Sequence, residues 1–203
     1  HEEVSAGRQV CIVAPRINAS EPDPQAEADA PPSASVNELG ELLATGPLEG
    51  LKLGVLHGQL PSAEKDATMS AFAAGELDVL VATTVIEVGV DVPNASMMII
   101  MDADRFGISQ LHQLRGRIGR GEHPGVCLLV TATEPDSPAA RRLAAVARTR
   151  DGFELAELDL EQRREGDVLG ASQAGGRSTL RLLRVLADAH LIAAAREVAE
   201  ELV

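Results

Sequence analysis

Five short apolar runs, separated by stretches of helix length, constrain this chain more than any other feature. They fall at Arg8–Ala14, Lys52–His57, Asp78–Ala82, Ala95–Met101 and Gly125–Thr131. In the first, Val10, Cys11, Ile12 and Val13 are consecutive and apolar, which predicts a strand buried on both faces. Helices are predicted between the runs. One covers Val36–Ala44 and is closed by Gly46-Pro47; another runs from Ser62, as N-cap, to about Ala74, with Gly75 as its stop. A third leads from Ser137 to about Arg150. Strands alternating with helices give an α/β fold with a mostly parallel sheet flanked by helices on both faces. Beyond Asp151-Gly152-Phe153 no further buried strand is legible, and two Ala/Leu-rich helices are expected over Ser178–Ala189 and Ile192–Leu202. The expected organisation is therefore an α/β domain at 1–150 and a helical appendage at 151–203. The Pro-, Ala- and acid-rich stretch 19–34 is expected to be a disordered loop.

Composition narrows the partners. Phe72, Phe106 and Phe153 are the only aromatic residues of the Phe, Tyr and Trp class. The core must be aliphatic, and recognition by stacking bases on aromatic platforms gives way to phosphate contacts. The net charge of −13 opposes nonspecific nucleic-acid binding. It is unevenly spread, with residues 1–104 at −13, 105–184 at +3 and 185–203 at −3. Cys11 and Cys127 lie in apolar runs and are expected to be buried core thiols. Two cysteines make no disulfide framework, and no metal site is expected. No signal peptide or run of membrane-spanning length is present, so a cytoplasmic protein with no membrane partner is expected. The chain starts at His1 without a methionine, and a longer parent chain is expected.

The stretch Gln110–Gly121 carries the chemistry. Read as a helix, it sets Gln113, Arg117 and Arg120 at i, i+4 and i+7 on one face. Gly116 and Gly119 lie between them, each costing roughly 1 kcal/mol against alanine in a helix. Glycine is tolerated where another backbone or a ligand comes close. Two arginines with no acid among them therefore point at an external anion; the alternative is a solvated arginine-rich helix. Ligands of open parallel sheets bind outside the carboxyl ends of the strands. The segments there are His57-Gly58, Thr83–Pro93, and Asp102–Gly107 with the arginine stretch. Thr83 and Thr84 offer hydroxyls and N–H groups to a phosphate, and Asp91 can accept from ribose hydroxyls. Taken singly, these are a strand end and a turn. Ser62 and Lys65 have the spacing of the serine–lysine pair of some acylating enzymes, but a capping serine explains it and no partner motif follows.

These motifs resemble the second motor lobe of superfamily 2 helicases. Val79-Leu-Val-Ala-Thr-Thr-Val-Ile-Glu-Val-Gly-Val-Asp-Val-Pro93 is similar to motif V, Gln113-Leu-Arg-Gly-Arg-Ile-Gly-Arg120 to motif VI, and His57-Gly58 to the motif IV region. The resemblance implies a RecA-like lobe that works on ATP. Arg117 and Arg120 would be arginine fingers on its phosphates and Gln113 a coupling residue at the nucleotide. Gly89 and Asp91 would lie at the ribose, and His57, Gly58, Thr83 and Thr84 near the DNA backbone. Charge developing on phosphoryl oxygens is well met by planar, always-charged guanidinium groups supplied across a cleft.

The chain contains no Gly-Lys dipeptide, hence no phosphate-cradling P-loop, and no Asp-Glu pair to hold magnesium. Half of an ATP site is expected, with Mg2+ held mainly by a first lobe elsewhere, and no ATPase activity in this chain alone. The tail sharpens the resemblance. Leu158-Asp-Leu-Glu-Gln-Arg163, Gly166-Asp-Val-Leu-Gly170 and Gln173-Ala-Gly175 are similar to the translocation motif shared by RecG and the transcription-repair coupling factor. Glu76–Val88 and Phe106–Gln113 resemble the RecG type more. Arg163 and Gln173 match its functional positions, whereas Arg164-Glu165 replace the usual Gly-Pro and Ser172 a common arginine. The alternative for Arg163 is a surface ion pair. The resemblance implies a translocase on branched double-stranded DNA, remodelling stalled forks and Holliday junctions. Its partners would be a first helicase lobe and a junction-reading wedge domain of the same parent chain, and it would be a monomer. The alternatives are the matching region of a coupling factor, or an interaction module retaining a dead motor lobe.

Overall fold

Gln9–Val13, every residue of which is buried, forms the central strand β1. Around it, in a computed structural model that describes residues 1–19, 33–84, 92–121 and 123–162, the other apolar runs become β2 (Leu53–Leu56), β3 (Val79–Ala82), β4 (Ala95–Ile100) and β5 (Val126–Leu129). The five strands make one all-parallel sheet in the order β2-β3-β1-β4-β5. The chain divides into two compact units, His1–Arg150 and Asp151–Val203.

Alternation along the strands decides what each face buries. Val10, Ile12, Val79 and Val81 form one cluster with Val36, packed by Leu39 and Leu43 of α2 (Val36–Ala44) and by Val4 of α1 (Glu2–Ser5). The opposite face carries Cys11, Val13, Leu80, Met98 and Ile100, all buried. On that side lie α3 (Ser62–Ala73), α4 (Ile108–Arg115) and α5 (Pro138–Arg148). The buried stripe of α4 is Ile108, Leu111 and Leu114; that of α5 is Leu143 and Val146.

Helix ends follow local chemistry, with one correction. Gly75, at φ +76°, closes α3: its amide donates to Phe72 and that of Glu76 to Ala71, which satisfies two orphan carbonyls. The N-cap of α3 is Pro61, and Ser62 is its first helical residue, with no capping bond. Lys65 Nζ donates to the Gly58 carbonyl at 3.4 Å. Ser137 does cap α5, accepting from the Ala140 amide at 3.0 Å.

β5 departs from the expectation of a buried strand. At the sheet edge, Val126 and Leu128 are exposed and Cys127 is half-buried. Burial still pushes the Cys127 thiol up to about 11, and that of the fully buried Cys11 to about 12.

In the second unit the described residues form α6 (Gly152–Gln162), and the Asp151 carboxylate accepts from the Phe153 amide at its start. The helices expected at 178–189 and 192–202, and most of the loop expected at 19–34, lie outside the described residues.

Candidate functional site

The arginine stretch is not one helical face. α4 ends at Arg115, Gly116 is its C-cap, and residues 117–120 form a turn. Gly119, beyond the helix, has φ +68°, a left-handed conformation that keeps the backbone from resuming a helix before Arg120. Its backbone also lies against that of Gly125, where an added Cβ would come within 2.4 Å of the Gly125 nitrogen. At Gly121 the same atom would meet the Pro93 carbonyl at 2.5 Å. These glycines serve backbone-to-backbone packing.

Packing also fixes where the turn lies. A helix that follows a strand runs back along the sheet, so the end of α4 sits at the amino ends of the strands. The Gly119 amide donates to the carbonyl of Ala95, the first residue of β4, at 3.2 Å. Gln113 and Arg120 are exposed there, and Arg117 is half-buried. Arg120 Nε donates to the Gly116 carbonyl at 2.9 Å, which braces the turn. Residues 107–121 contain no acid.

The other predicted residues gather at the opposite end. Leu56 pairs with Ala82, so His57-Gly58 and Thr83-Thr84 leave β2 and β3 side by side at the carboxyl ends. His57 and Thr83 are buried; the Thr83 amide is spent on the Leu56 carbonyl, and His57 Nδ1 has no hydrogen-bond partner among the described residues. Gly58 is exposed and Thr84 half-buried, and these two present a surface. The single cluster expected beyond the carboxyl ends is therefore two sets of residues, roughly 15 Å apart along strands of this length.

The place where such sheets commonly take a ligand, between strands whose connections diverge, is the gap between β1 and β4. Here the chain fills it. Asp102, left-handed at φ +46°, accepts from the Ala34 amide at 2.6 Å through Oδ2. Arg16 reaches Ser33 Oγ and the Ala19 carbonyl.

Two arginines that sequence reasoning passed over hold α5 at both ends. Arg142 Nη2 donates to the Asp104 carbonyl near its start. Arg115 Nη1 donates to the carbonyls of Val146, at 2.5 Å, and Thr149, at 2.7 Å, near its end. The partners are main-chain carbonyls, which leave no trace in sequence. A cleft of about 440 Å3 opens beside Arg115, lined by Leu111, Ile118, Cys127, Val146 and Arg150. Burial, and Arg150 nearby, pull the Arg115 guanidinium below its ordinary value. Gly89, Asp91, Arg163 and Gln173 lie outside the described residues, so their predicted roles rest on sequence. Among the described residues no His, Cys, Asp and Glu are grouped to hold a metal ion, and no helix is long and apolar enough to cross a membrane.

Residues 4–122 match the helicase conserved C-terminal domain, and residues 149–203 match the C-terminal part of domain 3 of the ATP-dependent DNA helicase RecG. The chain belongs to the helicase C-terminal domain family, in its RecG type. It is 59% identical over 196 residues to the ATP-dependent DNA helicase RecG of Mycobacterium tuberculosis H37Rv, a match that covers 97% of this chain and 26% of that protein. The RecG of Synechocystis is 45% identical, over 98% of this chain and 23% of that protein. A structure of RecG bound to a three-way DNA junction superposes with a TM-score of 0.66 at 38% identity, covering 94% of this chain and 23% of the other. The chain thus spans about a quarter of the length of the RecG proteins it matches. The fold is the RecA-like lobe expected of the RecG type.

Proposed function

We propose that this chain is the second motor lobe and coupling tail of an ATP-dependent translocase on double-stranded DNA, which remodels stalled forks and Holliday junctions. One observation carries the reading: an arginine turn at the amino ends of the sheet, with the Gly58 and Thr84 surface at the carboxyl ends. The turn fits the triphosphate of ATP, because it carries two planar, always-charged guanidinium groups on a braced backbone. Arg117 and Arg120 would hold the γ-phosphate, Gln113 would sense it, and Gly89 and Asp91 would face the ribose. Bound ATP, with its Mg2+ carried mainly by a first lobe, supplies the phosphoryl group whose transfer releases energy. The arginines supply charge stabilisation where negative charge develops and register closure of the cleft.

At the other end, Gly58 and Thr84 lie where a DNA backbone is contacted, with His57 and Thr83 shaping the surface from below. Residues 1–150 are the motor lobe and 151–203 the appendage, in which Arg163 and Gln173 turn closure into movement on DNA. The chain alone hydrolyses no ATP, since it has no P-loop. The bacterial RecG relatives support a role in the bacterial cytosol on branched DNA.

The test uses the parent protein with a synthetic four-way junction. Arg117→Ala and Arg120→Ala are each expected to lower junction-stimulated ATP hydrolysis by about 10³-fold while leaving junction affinity within a few-fold. Arg163→Ala and Gln173→Ala are expected to keep hydrolysis and stop unwinding. Full ATP turnover in both turn variants would overturn the motor reading.

A further inference from the structure

Arg115 belongs to neither set of residues, yet its side chain spans the two segments that a motor must connect. It is the last residue of α4, two positions before Arg117. Its Nη1 bonds the Val146 and Thr149 carbonyls, and its Nη2 donates to His112 Nδ1 at 3.0 Å. Thr149 stands two residues before Asp151, where the second unit begins.

The arrangement has an electrostatic logic. α4 and α5 each follow a strand of the same parallel sheet, so both carboxyl-terminal ends point the same way. Two negative helix ends side by side repel, and each leaves orphan carbonyls. A cation placed between them eases the repulsion, and here it also satisfies two carbonyls at the end of α5. The planar fork of arginine reaches two carbonyls with one nitrogen and a helical neighbour with the other; an ammonium group offers only a compact point charge. In the second turn of α5, Arg142 is bonded to the Asp104 carbonyl, so a pull at Thr149 is resisted from Arg142 onward.

We propose that Arg115 is a positioning residue that ties displacement of the arginine turn to the end of α5, from which the coupling tail departs. The inference rests on the motor function above and assigns to one side chain the first step of transmission within the lobe. It predicts that Arg115 sets how much DNA movement each ATP yields, and leaves hydrolysis itself largely alone.

The parent protein is assayed on a synthetic four-way junction for two rates, ATP hydrolysis and unwinding, in wild type, Arg115→Ala and Arg115→Lys. Melting is followed by circular dichroism. In Arg115→Ala the number of junctions unwound per ATP is expected to fall by about fivefold or more, with hydrolysis within about twofold of wild type. Arg115→Lys, which keeps the charge and loses the fork, is expected to lie between the two and to keep the wild-type melting transition within a few degrees. Should Arg115→Ala fail to fold, Arg115→Lys decides alone. A wild-type ratio in the folded variants overturns the proposal, and so does a proportional loss of both rates, since a merely structural residue would produce it. A wild-type parent that does not hydrolyse ATP on junctions overturns the motor reading itself, and the role of Arg115 with it.

Discussion

The amide of Gly119 bonds the carbonyl of Ala95, and so the turn bearing Arg117 and Arg120 hangs from the first residue of β4. Gly119 makes this possible by its left-handed φ and by lying against Gly125. Gly119→Ala is expected to cost about 2 kcal/mol from backbone conformation, with the clash adding to it. Urea unfolding of the chain measures the loss, and the arginine turn should be displaced in the folded fraction.

Helix capping offers a paired comparison. Ser137 accepts from the Ala140 amide, whereas Ser62 caps nothing. Ser137→Ala should cost about 1 kcal/mol. Ser62→Ala, at the first helical position, should change stability by less than about 0.5 kcal/mol. Equal effects in denaturant titrations would contradict the assignment of Pro61 as the cap.

A pH dependence follows from the end of the sheet near α1. Arg8 grips the Glu3 carboxylate with Nε at 2.6 Å and Nη2 at 2.9 Å, and the Ser96 hydroxyl donates to the same group. The Arg8 bonds first, and the Ser96 bond second, hold Glu3 at about 2, against an ordinary 4.5. A folded value below the unfolded one means that folding favours the ionised form. The stabilisation is complete above pH 4.5 and fades as pH falls towards 2. Glu3→Gln should melt earlier than wild type at pH 7, and the gap should close between pH 4.5 and 2.

The thiols should be slow. With Cys127 at about 11, against an ordinary 9.0, its thiolate fraction at pH 7.5 is about 100-fold below that of an ordinary cysteine. Iodoacetamide labelling of the native chain is expected to be correspondingly slow at Cys127 and slower still at Cys11. Addition of denaturant should bring both to the ordinary rate.

Much of the α/β architecture was legible, because fully apolar runs and helix-length stretches are set by burial alone. α2 was readable to the residue, since Gly46-Pro47 admits no continuation. Other features depend on contacts distant in sequence. An i, i+4, i+7 spacing in Gln110–Gly121 resembles a helix face until the approach of Gly125 requires a left-handed Gly119. Placing that stretch beyond the carboxyl ends of the strands overlooked that α4 returns its own end to the amino side. Cys127 lies in a run as apolar as that of Cys11, and only its place at the sheet edge opens it. His57 and Thr83 were legible as strand ends, but their burial was not. Arg115 and Arg142 were invisible because main-chain carbonyls carry no residue identity.

Under the motor function proposed above, the separation of the arginine turn from the Gly58 and Thr84 surface would set a gear ratio. Strands bonded to parallel neighbours resist shear, so the two ends of the sheet tilt together like the ends of a beam. Across roughly 15 Å, a tilt of about 13° carries one end through about 3.4 Å, the rise of one base pair. Rigid-body rotations of about 15° are ordinary for packed protein bodies. A single-base-pair stroke by the proposed motor would then require no bending or slippage inside the lobe, and longer strands would lengthen it.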